Sequence, residues 1–309
     1  MRILLGTDGS ASAGIAVDLV AGIDWPPGTA IRVAGAVETG PALFGGPWPA
    51  IALAQGEAIE AEVRSAVRGT VEGARARLDR PGLEVAAAVL SGRPASAVVA
   101  AARTMDADLV VLGSRGHGRI ESMLLGSVSS EVVDHASSPV LVARRPTIER
   151  LVLAWDGSDI GRVAADLVRT WPIFRHATVH VVSVADVAIP WWTGFPAAGS
   201  PGLMPMYVEA AEASRRSHAE LARDMSRELG AAGLDATAEP REGDASTEII
   251  AAARACDADL IVLGTHGRTG LSRLLLGSVA RNVLHHAAAS VLVAREGRTG
   301  SGGSRGGTA

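Results

Sequence analysis

The chain has 309 residues, 48% of them hydrophobic, enough apolar material for two domains of about 100–200 residues each. Its 29 basic and 33 acidic residues leave a net charge of -4 with no long basic run, so no nucleic-acid partner is expected. Every basic residue is Arg, which excludes the Walker A loop, the protein-kinase site and Schiff-base chemistry, each of which needs a Lys.

In chain order, the apolar "RILLGT" reads as a strand that ends in Asp8-Gly9-Ser10, and Ser10–Gly22 carries the 3.6-residue apolar period of a helix. "AIRVAGAV" is a second strand. A Gly/Pro-rich loop leads into a long helix, about Ala52–Leu78, then strand "LEVAAAVL", helix Pro94–Thr104, strand "DLVVLG", helix Ser127–His135 and strand "PVLVAR". These strands are apolar without alternation, as in a parallel sheet covered by helices on both faces. The reading is a doubly wound, Rossmann-like α/β domain, which binds ligands beyond the carboxyl ends of its strands.

The pattern then repeats. "DADLVVLGSRG" at 106–116 returns as "DADLIVLGTHG" at 257–267, "LLGSV" at 124–128 returns at 275–279, and "VLVAR" at 140–144 returns at 291–295. "GTDGS" at 6–10 answers "AWDGS" at 154–158. Two tandem domains are therefore expected, 1–146 and 147–296, followed by a Gly/Ser-rich tail, 297–309, read as disordered. The two final strands are expected to pair antiparallel, each covering the other's apolar edge. A solitary Cys256 cannot form an internal disulfide. No apolar run approaches a membrane span, and the N-terminus turns polar after five residues, so a soluble, cytoplasmic protein is expected.

The candidate site is a glycine constellation. Gly113 and Gly116 lead through nine residues to Gly126-Ser127, and Gly264, Gly267 and Gly277-Ser278 repeat the same G-x2-G-x9-G-S spacing. Gly113 and Gly116 are expected to take positive φ and to let a ligand approach bare backbone. Gly126 stands where the unpaired N–H groups of a helix's first turn make an anion site. A single such turn could be punctuation, with Ser127 an ordinary N-cap. Two copies with unchanged spacing point to nucleotide binding.

This pattern resembles the ATP-binding signature of the universal stress protein family, across both halves and in the tandem arrangement. The resemblance implies ATP, with Mg, as cofactor, and an acidic residue beside adenosine at Asp8 and Asp156. It implies adenine contacts near Ala36 and Val184, and phosphate contacts on the glycines and serines. The candidate shell is Gly6, Asp8, Ala36, Gly113, Ser114, Arg115, Gly116, Gly118, Arg119, Gly126, Ser127 and Val128 in the first half. In the second it is Ala154, Asp156, Val184, Gly264, Thr265, His266, Gly267, Arg268, Gly277, Ser278 and Val279. No residue is assigned a catalytic role and no metal ligands are read.

The implied function is a nucleotide-dependent regulatory or stress-response protein, an internal pseudo-dimer that also forms a homodimer. A slow Mg-dependent ATPase and an adaptor with vestigial sites are the alternatives. The sites are not copies: Gly6 and Thr7 become Ala154 and Trp155, which predicts a bulkier floor and unequal affinity in the second. Phe44, Trp48, Trp191, Trp192, Phe195 and Tyr207 are placed on the loops after each half's second strand, where they are expected to mediate assembly between chains or to close over nucleotide. His176 with His180, His285 with His286, and Cys256 are assigned structural or surface roles.

Overall fold

A computed structural model describes residues 1–38, 50–116, 125–186, 203–267 and 276–295. The first half runs β1 (Arg2–Gly6), α1 (Ala11–Gly22), β2 (Thr29–Val37), α2 (Ala50–Leu78), β3 (Leu83–Ser91), α3 (Pro94–Thr104), β4 (Leu109–Gly113), α4 (Ser127–His135) and β5 (Val140–Ala143). The second repeats it as β6 (Arg150–Ala154), α5 (Asp159–Thr170), β7 (Thr178–Ala185), α6 (Leu203–Ala231), β8 (Asp235–Glu242), α7 (Ala245–Ala255), β9 (Leu260–Gly264), α8 (Ser278–His286) and β10 (Ser290–Ala294). A short 3-10 turn, Pro172–Phe174, follows α5.

All ten strands form one sheet, in the order β3-β2-β1-β4-β5-β10-β9-β6-β7-β8. Pairing inside each half is parallel, and β5 meets β10 antiparallel, with Leu292 opposite Leu141. The expected pairing of the two final strands is thus what the structure contains. The edge that each half would otherwise expose is consumed by its repeat.

Strand periodicity divides the core into two layers. Ile3, Leu5, Leu141 and Leu292 belong to the layer packed against α1, α2, α5 and α6. Leu4, Val140, Val142, Val291 and Val293 belong to the layer beneath α3, α4, α7 and α8. Both layers run without a break from one half into the other. The order β3-β2-β1-β4-β5 reverses direction between β1 and β4, and the ends of those strands carry the glycine motifs.

The "DADL" repeat is a structural stitch. Asp106 (φ 46°) and Asp257 (φ 48°) take left-handed backbone after α3 and α7. Two residues on, the Asp108 carboxylate accepts from Arg2 N (2.7 Å), and Asp259 accepts from both Glu149 N and Arg150 N (3.0 Å each). Each half thereby fastens the start of its first strand to the start of its fourth.

Tyr207 corrects one expectation: it lies within α6, not on the preceding loop. Phe44, Trp48, Trp191, Trp192 and Phe195, and the tail 297–309, lie outside the described residues.

Candidate functional site

Each half carries one cavity at the switch point, about 420 Å³ in the first and about 310 Å³ in the second. The linings correspond almost position for position. Of the sequence candidates, Gly6, Asp8, Ala36, Gly113, Arg115, Gly116, Gly126, Ser127 and Val128 line the first. Ala154, Asp156, Val184, Gly264, Thr265, His266, Gly267, Gly277, Ser278 and Val279 line the second. Ser114 sits behind the wall, buried, with its hydroxyl 3.0 Å from that of Ser12. Gly118, Arg119 and Arg268 fall outside the described residues.

The glycines are needed for space rather than for unusual dihedrals. None of the six motif glycines has positive φ; in the site region that conformation belongs to Gly9 (φ 80°) and Gly157 (φ 79°), in the Asp-Gly-Ser turns. The expectation of positive φ at Gly113 and Gly116 is therefore corrected. A Cβ on Gly113 would lie 2.6 Å from the Ser12 carbonyl carbon, and one on Gly264 3.0–3.1 Å from Ile160. A Cβ on Gly116 would lie 2.5 Å from Asp8 Oδ2, and one on Gly267 2.9 Å from Asp156 Oδ2. At Gly126 and Gly277 the obstacle is the facing loop, with Arg115 Cα at 3.3 Å and Thr265 O at 3.0 Å. At Gly113 and Gly264 the backbone of each half's first helix approaches so closely that a Cβ would crowd it, and at Gly116 and Gly267 a Cβ would displace a carboxylate oxygen.

That approach is hydrogen-bonded. Gly126 N donates to Ser114 O and Gly277 N to Thr265 O, both at 2.7 Å, closing the glycine loop in each half. In the first half Ser10 Oγ donates to Arg115 O (3.3 Å) and Arg115 N donates to Ser12 Oγ (3.1 Å), tying the β1–α1 turn to the β4–α4 turn. Asp8 Oδ1 accepts from Ser10 N (3.0 Å), and Asp156 Oδ1 from Ser158 N (3.0 Å) and Ser158 Oγ (2.6 Å), which fixes each carboxylate at the cavity.

Helix capping separates these two helices from most of their neighbours. α1, α5 and α7 have side-chain caps from Ser10, Ser158 and Asp244. α4 and α8 begin on Gly126 and Gly277, which provide none. Ser127 is thus the first residue of the helix and not its N-cap, so the reading of it as an ordinary cap falls. The first-turn N–H groups of α4 and α8 face a cavity with no side chain to receive them, the arrangement of an anion site. In the second cavity His266 Nδ1 lies 2.9 Å from Thr265 Oγ1, while its buried Nε2 has no hydrogen-bond partner among the described residues.

Sequence reading missed much of the apolar wall. Ala34, Val98 and Leu112 in the first half, and Val182, Ile249 and Leu263 in the second, complete the cavities. Ala34 was accessible in principle, two positions before Ala36 on the same face of the strand. Trp155 lines the second cavity where Thr7 lines the first, the bulkier floor that was expected of it. Its ring is 7% exposed in the core, with the Arg162 guanidinium 5.1 Å above it, and Gly161 replaces Ala13 to leave it room.

Among the described residues no three His, Cys, Asp or Glu side chains converge on a metal position, and no helix is long and apolar enough to cross a membrane. Cys256 caps α7 half-buried, and burial raises its thiol pKa.

The family model of the universal stress proteins matches residues 1–144 and again 147–295. The chain belongs to the universal stress protein family, as a tandem member. A universal stress protein of Mycobacterium tuberculosis is 30% identical over 199 residues, 62% of this chain and 63% of the relative, so the chain spans less than two thirds of that relative's length. One from Methanocaldococcus jannaschii is 35% identical over 150 residues, covering 48% of this chain and 82% of that protein. The crystal structure of a universal stress protein from Archaeoglobus fulgidus superposes with a TM-score of 0.61 over 96% of this chain and 98% of that one, at 18% identity, a likeness of fold.

Proposed function

We propose that each half of this universal stress protein binds ATP in its switch-point cavity, and that the chain acts as a nucleotide-dependent regulatory protein rather than a dedicated enzyme. One observation carries the reading: both cavities end on helix N-termini that lack side-chain caps, at the backbone of glycines where an added Cβ would crowd its neighbours. In a chain without Lys, backbone N–H groups, the Ser127 and Ser278 hydroxyls, Arg115 and His266 are the groups that would hold a triphosphate.

The base would lie against Ala36 or Val184, and the ribose beside Asp8 or Asp156. His266 Nε2 supports the fit, since a phosphate oxygen or ribose hydroxyl would supply the partner it lacks. Bound with the triphosphate, Mg²⁺ would neutralise part of its charge. The residues of the chain bind and orient; none is assigned to activate water, which is why regulation is preferred to turnover. The same reading makes the protein cytoplasmic, where ATP is supplied.

The test is direct. Nucleotide released from the purified protein by denaturation should be ATP, and titration of the stripped chain should saturate at two equivalents. Turnover with Mg²⁺ should remain below one ATP per chain per minute. Absence of binding overturns the proposal, and fast turnover replaces it with an enzyme.

A further inference from the structure

The two cavities share their framework but not their apolar wall. Gly6 and Ala34 are register partners at the carboxyl ends of β1 and β2, and Ala154 and Val182 are their counterparts on β6 and β7. Two residues on, Ala36 gives way to Val184, and across the cavity Val98 of α3 gives way to Ile249 of α7. All four wall positions gain carbon in the second half.

Two positions change in the opposite sense, Ala13 to Gly161 and Pro94 to Ala245. The first is absorbed by Trp155, whose Cε3 would lie 3.2 Å from a Cβ at 161. Together with Thr7 giving way to Trp155 in the lining, the net result is the smaller cavity of about 310 Å³ against about 420 Å³. The narrowed wall has little freedom to yield. Val182 and Ile249 are 1% and 4% exposed in the continuous core layer, and β-branched side chains have few rotamers to retreat into.

We infer that these side chains make the halves unequal in nucleotide specificity. The first takes a purine nucleoside triphosphate tightly. The second, narrowed by Val182, Val184 and Ile249, holds the purine base weakly and discriminates less between purine and pyrimidine. This inference rests on both cavities being nucleotide sites. A single carbon added to an apolar pocket changes binding by about tenfold or more, so this wall is sufficient to separate the affinities.

Calorimetric titration of the intact chain with ATP, and separately with CTP, tests it. For ATP the expected result is two classes of site at least about tenfold apart, the weaker abolished by Gly267→Val. Val182→Ala with Val184→Ala should tighten the weaker ATP class by about tenfold and move CTP less. Ala34→Val with Ala36→Val should weaken the tighter ATP class and leave the weaker in place. This reciprocal pair reports even if one variant folds poorly, with circular dichroism as the check. A single ATP class in the wild type, or a weaker class unmoved in the folded Val182→Ala, Val184→Ala chain, overturns the inference. No binding of either nucleotide overturns the nucleotide reading itself.

Discussion

At Gly116 and Gly267 an added Cβ would run into the carboxylate of Asp8 or Asp156, residues from the opposite end of the same half. On the proposed reading that carboxylate sits beside the ribose, so a side chain there would displace a ligand contact as well as narrow the cavity. ATP at about a hundredfold excess over Kd adds about 2.7 kcal/mol to stability per site, and each kcal/mol is worth about 1–2 °C in a chain of this size. Gly116→Val should remove the larger part of the ATP-dependent rise in melting temperature and Gly267→Val the smaller, with the double variant losing nearly all of it. Thermal melts with and without Mg-ATP measure this, and only the increment counts. The sequence located these glycines through their repeated spacing, but not their reason, because the obstacle to a Cβ lies about a hundred residues away in the chain. The "DADL" repeat was as visible and is structural. Asp259, 9% exposed, receives two backbone N–H groups, so Asp259→Ala should cost about 1–3 kcal/mol in denaturant unfolding and leave ATP affinity unchanged.

At the scale of elements, the helices divide by what meets their first turn. The Asp244 side chain accepts from Thr247 N (2.8 Å) and the Thr247 and Ser246 hydroxyls (2.7 Å each), and these bonds, that of Ser246 foremost, hold its carboxyl below the ordinary range. Asp244→Ala should destabilise the chain by about 1 kcal/mol whether or not ATP is present. The Ser127 and Ser278 hydroxyls make no hydrogen bond among the described residues, and the caps are Gly126 and Gly277. Ser127→Ala and Ser278→Ala should therefore leave the stability of the empty protein within about 0.5 kcal/mol of wild type and reduce ATP affinity. If both cost stability in the empty chain, the serines are caps after all. Most elements were legible from apolar runs and periodicity, since the inner strands are covered on both sides, the edge strands β3 and β8 less fully, and each helix on one. The cavity wall was not. It joins the first turns of α3 and α7 to the ends of β1 and β2, or β6 and β7, and that juxtaposition exists only once the strand order is known.

The whole molecule is a closed pair, and its junction is more than two strands in register. Arg144, at the end of the first half, reaches Leu284 O and Ala289 O (3.3 Å to the latter) at the end of α8. Arg295, at the end of the second, reaches Val133 O and Asp134 O (3.2 Å to the latter) at the end of α4. Each half thus supplies a cation to the carboxyl end of the other half's cavity helix, where the helix dipole favours it. Burial lowers the Arg144 pKa to about 10, with Arg115 adding repulsion, yet leaves it charged at neutral pH. Across the same junction Arg281 Nη2 lies 3.2 Å from Asp134 Oδ1, and His285 sits half-buried beside His286. Burial foremost, then His286, Arg281 and Arg144, lower the His285 pKa, with Asp134 opposing them. A base whose folded pKa lies below its unfolded value is protonated first in the unfolded chain, so the contribution is present at neutral pH and is lost as pH falls. The midpoint of thermal unfolding should therefore decline as pH drops below about 6.5, and His285→Gln should flatten that part of the profile, because a neutral amide leaves the junction without a proton to exclude. His180, outside the junction on β7 and 3.9 Å from Glu239, provides the control. If His180→Gln flattens the same window and His285→Gln does not, the junction is not the pH-sensitive part of this fold.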